Sequence, residues 1–469
     1  MSSAREHREA VLRASGAWLG FIVAAFGSGM TAVVLARGGG YYVVVPRLAY
    51  LLPLAVVGAI AGLAALGVAR NALSVAGWLG LIVAAGFAWN FLVYAFKFGS
   101  GVWGVLLPLA HPTGIDFRDG LYDPAAAFST LHSGWPPLTL LLGRPFTLVS
   151  FSTAYIVQVA LLVALGLAAA ALSGVLAAKA AFVRGLPGRG RAVGAKALAL
   201  VMALWLVTSY GFMYEVERGN IDLYALVFSL LAVWLMIRFP RSAWLPAAVL
   251  AIAIGLKLYP AVLVVLLVWR YRWRALLPGA VSVLAVLLIA GPANLRDSFA
   301  TLGAVQANRA SLGWSNHSSA ALAHILQNIT GWAPEWVGYP LLLVPLAVWG
   351  FTLVTLVRRG WSDRNAIVAA AASVPLMGIV PSISHDYRLV LCVFPLAVLT
   401  AMVATMRREP GVVWPLLFGM LALTVILLAR SSLVVAPSLQ ASKYALLVVV
   451  QALLLVVVLM TGREATPAG

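Results

Sequence analysis

Apolar stretches recur along this chain from end to end, and many reach the length of about 20 residues that an α-helix needs to cross a bilayer. Of the 469 residues, 63% are hydrophobic and 10% are charged, whereas a soluble domain has roughly 25% charged residues. No polar stretch is long enough to fold by itself. The sequence therefore predicts a single all-α membrane domain over residues 1–469.

The spacing of the apolar stretches predicts a polytopic protein with about 12 transmembrane helices. They are placed near residues 15–36, 48–69, 73–96, 150–177, 196–213, 221–237, 275–291, 338–357, 366–383, 388–406, 411–429 and 444–462. With a cytoplasmic N-terminus, 20 of the 32 Lys and Arg residues fall in cytoplasmic segments, in agreement with the positive-inside rule. This bias accounts for the net charge of +18 without nucleic acid as a partner.

The abundance of arginine over lysine, 27 against 5, in an Ala- and Val-rich background is typical of a GC-rich bacterial genome. The expected location is therefore the bacterial plasma (inner) membrane, where lipids surround the protein. The single cysteine, Cys392, excludes an intrachain disulfide.

The segment between Arg241 and Arg270 interrupts the regular pattern of spans. Its 28 residues are too few for two spans, which need about 40 residues, and one span would place the later basic loops on the wrong side. We therefore predict a re-entrant hairpin of two half-length helices, with Lys257-Leu-Tyr-Pro260 at its tip. Non-helical backbone at this depth requires protein or a water-filled cavity around it. The tip is thus expected to line a cavity.

Two long loops, 97–135 and 292–337, face the extracytoplasmic side in this topology. Nine of the 14 acidic residues and five of the six histidines lie on or beside that face. The cytoplasmic loops are short and basic. Any chemistry is therefore expected on the outside, with loop 97–135 as the candidate catalytic loop.

Loop 97–135 carries Asp116, Asp119 and Asp123 around Arg118. A carboxylate can act as a general base if it lies within hydrogen-bond reach of the proton that it removes. The spacing of Asp116 and Asp119 also admits a divalent cation, Mg²⁺ or Mn²⁺, through oxygen ligands, although no protein metal-ligand set is assigned. A solvated acidic loop with helix caps explains the same residues, and both interpretations stay open.

Charged residues also lie at or within the apolar stretches. Asp222 lies just inside a predicted span, and Arg218, one turn earlier, is its expected partner. Lys257 has three interpretations: it binds an anionic phosphate, extends to the interface, or pairs with a carboxylate. The turn that contains His385 and Arg388 suits phosphate recognition or proton transfer, with helix capping as the alternative.

Several motifs occur in an order that resembles the polytopic GT-C glycosyltransferases of family 87. The resemblance covers about residues 110 to 405. It rests on Asp116-Phe-Arg followed by Leu121-Tyr122-Asp-Pro, Trp135-Pro-Pro, Gly219-Asn220, Lys257-Leu-Tyr-Pro with the Arg-rich segment after it, Asn316-His-Ser, and Ser384-His-Asp-Tyr387.

The resemblance implies a GT-C-like fold and an inverting transfer of a sugar, most commonly mannose in this family. The implied donor is a polyprenyl-phosphate sugar, and the acceptor is an envelope glycolipid or glycan. Asp116 is implied as the base, and Asp119 orients or replaces it. The implied ligands of the donor phosphate are Lys257, Arg218, His385 and Arg388. Tyr122, Asn220, Tyr259, Asn316, His317 and Tyr387 are expected to contact substrate, and loop 292–337 is expected to bind the acceptor or its sugar.

A transporter or flippase of a lipid-linked sugar explains the hairpin and the embedded Lys257 equally well. We find no internal repeat, which transporters often have, and flipping does not need a carboxylate cluster on one outer loop. A non-catalytic scaffold for envelope assembly would leave the embedded charges costly and unexplained.

Overall fold

The structure is a computed structural model that describes residues 25, 115–123, 136–181, 194–292, 294–296, 298, 318–330, 338–381, 384–406, 413–428 and 437–461. Apart from residue 25, the predicted spans near 15–36, 48–69 and 73–96 lie outside these residues. Most of loops 97–135 and 292–337 lies outside them as well. The regular elements within the described residues are all helices, which confirms the all-α class.

The α-helices follow one another in chain order, and short 3₁₀ or π-helical turns continue several of them. The α-helices are α1 (Ile115–Phe117), α2 (Pro137–Gly143), α3 (Phe151–Ala181), α4 (Ala195–Thr208), α5 (Tyr210–Arg218), α6 (Asp222–Arg238), α7 (Trp244–Leu256), α8 (Val264–Tyr271), α9 (Leu276–Ala290), α10 (Ser319–Thr330), α11 (Gly338–Arg358), α12 (Asp363–Ile379), α13 (Val393–Met406), α14 (Val413–Leu428) and α15 (Pro437–Thr461). The turns that matter below are the π-helical turn Arg118–Tyr122 and the 3₁₀ helices Arg144–Leu148, Tyr259–Leu263, Arg272–Ala275 and Asp386–Cys392.

Within the described residues, five helical segments are long and apolar enough to cross a membrane. They are Phe151–Ala181, Tyr259–Ala290, Tyr339–Arg358, Asp386–Met406 and Lys443–Thr461. A sixth arises if α4 and α5, which are bent by 60° at Ser209, count as one span. Helices α6, α12 and α14 coincide with predicted spans but have only 16 or 17 residues. The total of about 12 spans therefore stays a prediction.

The segment Asp386–Met406 lies at the centre of the bundle, and 89% of its most apolar window is buried. Its helix α13 packs against α3, α4, α12 and α14. Helix α12 contributes a run of alanines, Ala369–Ala372, and such small side chains let helices approach closely where lipid offers no hydrophobic driving force. By contrast, α9 exposes Leu288 and Ile289, as expected for a helix that faces lipid.

The predicted interruption at Lys257 is present. Helix α7 ends at Leu256, and Lys257 adopts an extended conformation with φ −147° and ψ 137° before the 3₁₀ helix Tyr259–Leu263. A second break follows at Arg272, whose φ is 54°. An unbroken helix over Tyr259–Ala290 would be about 48 Å long, well beyond the hydrocarbon core, so we treat α8 and α9 as separate segments.

The packing of α7 against α9 supports the predicted hairpin. Gly255 lies near the C-terminal end of α7, and a Cβ placed there would be 2.6 Å from Cγ1 of Val286, near the C-terminal end of α9. Since α7 and α9 pack side by side with these ends together, the intervening chain must return toward the level at which α7 begins. The Lys257 segment is therefore the turning point.

Candidate active site

Gly219 is the local feature that assembles the site. It ends α5 in the left-handed conformation with φ 67°, and the amide of Asn220 donates to the Glu215 carbonyl at 3.1 Å. Glycine favours this C-terminal cap because it has no Cβ. A Cβ at Gly219 would also lie 2.5 Å from Cβ of Phe117. Only glycine therefore allows α1 to approach the end of α5 this closely.

This approach places Asp116 against Arg218 and Asn220, and we call these three residues the Asp116 cluster. Arg218 Nη2 forms an ion pair with Asp116 Oδ1, and Asn220 Nδ2 donates to Asp116 Oδ2 at 2.9 Å. The Asn220 amide is oriented by its own oxygen, which accepts from the Ile221 amide at 2.7 Å. The side chains of Asp116 and Arg218 keep 13% and 30% of their surface exposed. The carboxylate is thus held at both oxygens but stays accessible.

Helix α3 supports the Asp116 cluster from behind. Gln158 Nε2 donates to the carbonyls of Gly219 and Asn220, both at 3.2 Å, and Gln158 Oε1 accepts from the Tyr224 hydroxyl at 2.9 Å. These bonds satisfy the buried carbonyls of the turn that joins α5 to α6. On the other side, Phe117 makes an edge-to-face contact with Phe146, with ring centroids 5.1 Å apart.

A second group of charges surrounds Asp222, and we call Asp222, Lys257, Tyr259 and Arg388 the Asp222 cluster. Oδ1 of the fully buried Asp222 accepts from the Tyr259 hydroxyl and lies 4.0 Å from Lys257 Nζ and 3.9 Å from Arg388 Nε. The Arg388 guanidinium also lies 5.1 Å from the centroid of the Tyr259 ring. Three separate elements therefore meet at one carboxylate.

The prediction that Arg218 pairs with Asp222 is wrong. The expected spacing of one turn applies only within a continuous helix, whereas Gly219 ends α5 and Asp222 starts α6. Arg218 turns to Asp116, and Asp222 takes Lys257 and Arg388. Of the three interpretations of Lys257, the contact with a carboxylate is the one observed; extension to the interface is not.

The break in the helix at Lys257 is stabilised from α2. Thr139 Oγ1 donates to the carbonyl of Leu256 at 2.8 Å, and both partners are buried. This bond satisfies a carbonyl that the end of α7 would otherwise leave unpaired in an apolar environment. The bond holds the backbone directly before Lys257, whose side chain is 11% exposed.

His385 precedes the 3₁₀ helix Asp386–Cys392 and lies close to both clusters. Burial lowers the pKa of the His385 imidazole to about 4, and the positive charge of Arg218 acts in the same direction, against the opposite effect of Asp116. The Tyr387 ring is 5.6 Å away from the imidazole. This low pKa favours the neutral imidazole near pH 7, and a neutral imidazole can form a hydrogen bond to a phosphate oxygen through its N–H.

The remaining candidates from the sequence fall into two groups. The Tyr122 hydroxyl donates to the carbonyl of Val149 at 2.9 Å, and its ring packs on Phe151, so Tyr122 belongs to the aromatic support of α1. The side chain of Asp119 and the whole of Asn316 and His317 lie outside the described residues. Within the described part of the chain, no group of three or more His, Cys, Asp or Glu side chains is placed to hold a metal ion.

Two charged residues near the site, Glu215 and Lys443, were not among the sequence candidates. Glu215 is fully buried and accepts from the amide of Leu223 at 3.2 Å. Lys443 Nζ lies 2.5 Å from Asp386 Oδ2, and both side chains are buried. A lysine beside an apolar stretch was the available signal for Lys443, but its position at the edge of the span near 444–462 made it resemble an ordinary helix end.

Helices of membrane-spanning length around a buried cluster of charges define a polytopic membrane protein with a polar site in its interior. A model of glycosyltransferase family 87 matches residues 135–382, more than half of the chain. The protein therefore belongs to glycosyltransferase family 87. No curated protein and no solved structure matches it. The matched range includes Arg218, Asn220 and Lys257, while Asp116 and Arg388 lie outside it.

Proposed function

We propose that this glycosyltransferase moves a sugar, with mannose as the first candidate, from a polyprenyl-phosphate donor to a hydroxyl of an envelope glycolipid or glycan. The reaction would invert the anomeric centre and take place on the extracytoplasmic side of the membrane, as the distribution of basic residues favours. The observation that carries the proposal is an accessible carboxylate, Asp116, held by Arg218 and Asn220, while the cations Lys257 and Arg388 gather around Asp222, two residues after Asn220.

Asp116 is assigned as the general base. It removes the proton of the acceptor hydroxyl while that oxygen attacks the anomeric carbon, and the bond from that carbon to the phosphate oxygen breaks. The proton ends on Asp116, and the electron pair of the broken bond leaves with polyprenyl phosphate. Each carboxylate oxygen keeps a lone pair beyond the bonds to Arg218 and Asn220, and these two bonds fix the orientation that a base requires.

Lys257 and Arg388 are assigned to the departing phosphate. Negative charge grows on that group as the bond breaks, and fixed cations in a site of low polarity stabilise it. Their distances to Asp222, 4.0 and 3.9 Å, exceed the roughly 2.7–2.9 Å of a charge-assisted hydrogen bond. Asp222 therefore attracts and orients the two cations at distances longer than a direct charge-assisted hydrogen bond. Arg218, which holds Asp116, adds a third positive charge beside the base.

The test uses membranes that contain the wild-type protein or Asp116→Asn, supplied with radiolabelled polyprenyl-phosphate mannose and a native lipid extract. New labelled glycolipid with the wild type, lost in the variant at equal expression, is the expected result. The matched control is Asp363→Asn, a carboxylate that is 46% exposed and pairs with Lys179 outside both clusters, which should retain transfer.

Two outcomes would contradict the proposal in different ways. Transfer that survives Asp116→Asn would keep the donor class but remove Asp116 as the base, and Asp119→Asn would be tested next. If no polyprenyl-phosphate sugar yields product while the donor moves between leaflets, the protein would be a flippase of lipid-linked sugars.

A further inference from the structure

A buried ion pair joins the last described helix to the site. Lys443, in the second turn of α15, places its Nζ 2.5 Å from Asp386 Oδ2, and the two side chains are 3% and 0% exposed. Desolvation of two charges can cancel their attraction, so such a pair is weak evidence for stability alone. The pair therefore points to a role in positioning the residues around it.

Asp386 lies between the two site residues of its own segment. His385 precedes it, Arg388 follows two residues later, and the Arg388 amide donates to the His385 carbonyl at 2.9 Å to close a turn around it. His385 is the capping residue directly before this 3₁₀ helix and Arg388 lies in its first turn, so a shift of Asp386 would move both neighbours. Arg388 in turn lies 3.9 Å from Asp222 and 5.1 Å from the centroid of the Tyr259 ring.

Lys443 also meets the segment that carries Arg218. Its ammonium lies 6.0 Å from the centroid of the Tyr210 ring, at the first residue of α5. One residue later, a Cβ on Gly211 would be 3.0 Å from the carbonyl oxygen of Asp386. Helix α5 and the 3₁₀ helix Asp386–Cys392 thus touch beside Lys443, and each carries one side of the site.

We propose that Lys443 is a positioning residue for the donor phosphate: through Asp386 it holds Arg388 and His385 where the phosphate binds. The proposal rests on the proposed function. It gives α15, which follows the range matched by the family model, an indirect part in binding the donor, through Asp386. Lys443 itself contacts neither substrate nor the reacting atoms.

The test compares Lys443→Met, Lys443→Arg and the double variant Lys443→Met with Asp386→Asn. We expect KM for the polyprenyl-phosphate sugar to rise about tenfold to a hundredfold in Lys443→Met, with KM for the acceptor nearly unchanged, because displaced binding groups lose affinity steeply. Lys443→Arg keeps the charge and should recover most of the affinity. The double variant removes both buried charges, so its thermal unfolding should approach that of the wild type while KM for the donor stays high.

The matched control is Lys179→Met. Lys179 forms an ion pair with Asp363 at 2.8 Å, but both side chains are 46% exposed and the pair lies at the junction of α3 and α12, away from the site residues. This variant should keep the wild-type KM for donor and acceptor.

A binding measurement separates this proposal from the proposed function. Sugar-free decaprenyl phosphate is added to each variant, and its binding is measured as the shift in unfolding temperature that it causes. A wild-type KM in Lys443→Met, or a double variant with fully restored KM, would overturn the role of Lys443 alone. If the wild type binds decaprenyl phosphate but transfers no sugar, the proposed function fails. In that case, weaker binding of decaprenyl phosphate by Lys443→Met and by the double variant would still support the positioning role of Lys443, and wild-type binding by both would overturn it. If the wild type does neither, both proposals fall.

Discussion

The two charge clusters differ in how far solvent reaches them. In the Asp116 cluster, Asp116 and Arg218 keep 13% and 30% of their side chains exposed, whereas in the Asp222 cluster Asp222 is fully buried and Arg388 and Lys257 keep 8% and 11%. A group that exchanges a proton with a substrate must be reachable, while cations that stabilise a leaving phosphate gain strength from the absence of water. The comparison therefore separates a candidate for chemistry from a candidate for charge stabilisation.

Only Ile221 separates the two clusters along the chain. Asn220 belongs to the Asp116 cluster and Asp222 to the Asp222 cluster, and the turn at Gly219 directs these neighbours to different partners. A substitution in one cluster should therefore change a different measurable property from a substitution in the other.

The largest expected effect is on transfer by Asp116→Asn. Loss of the base should lower the rate by roughly 10²- to 10⁴-fold, while loss of the partly exposed pair with Arg218 should cost less free energy of unfolding than the roughly 3–5 kcal/mol of a broken, fully buried pair. Rate measurements on membranes and thermal unfolding in detergent separate these quantities. A large drop in unfolding temperature would mean that Asp116 is mainly structural. The two clusters would then not differ in role as proposed.

Asp222→Asn should show the opposite balance. The amide keeps the shape but removes the charge that faces Lys257 and Arg388, and an uncompensated buried charge costs about 3–5 kcal/mol. We expect a much lower unfolding temperature in detergent, accompanied by weaker donor binding. Wild-type stability of this variant would show that the two cations do not depend on Asp222.

A smaller effect is expected from Gly219→Ala. The left-handed conformation costs a residue with a Cβ roughly 1–2 kcal/mol, and the methyl group would meet Phe117. Both effects should displace Asp116 and reduce transfer more than stability. Gly279→Ala in α9 is the control, because a Cβ there has no neighbour within 4 Å. If both variants show the same rate of transfer and the same unfolding temperature, Gly219 is not required to position Asp116.

The last effect is confined to acid pH and concerns His385. Its pKa of about 4 in the folded protein lies below the ordinary 6.5, so the unfolded chain takes up the proton first as pH falls. Stability from this group is fully present above about pH 6.5 and should decline as pH falls toward 4, with no further loss below that. Thermal unfolding of wild type and His385→Gln across this range should show a shallower decline in the variant. Parallel curves would contradict the neutral state of His385.

The sequence alone was sufficient for the features that depend on local pattern. Long apolar stretches require helices in a membrane, because backbone groups must be satisfied within each segment, and the structure has helices at each of the predicted spans that it describes. The interruption at Lys257 followed from counting residues between basic flanks. Asp116, Arg218, Asn220, Lys257 and Arg388 were singled out from the sequence and its resemblance to family 87, and their functional roles stay predictions.

Only the tertiary structure decided which of these residues meet. Asp116 and Arg218 are 102 positions apart, and Lys443 reaches Asp386 from a different helix. Hydrophobic pattern fixes a helix and its approximate length, but the partner of a buried charge depends on the rotation, bend and packing of helices that are distant in the chain. The left-handed turn at Gly219 illustrates the point: it ended the helix on which Arg218 and Asp222 would have paired and gave each of them a partner that no local spacing could have indicated.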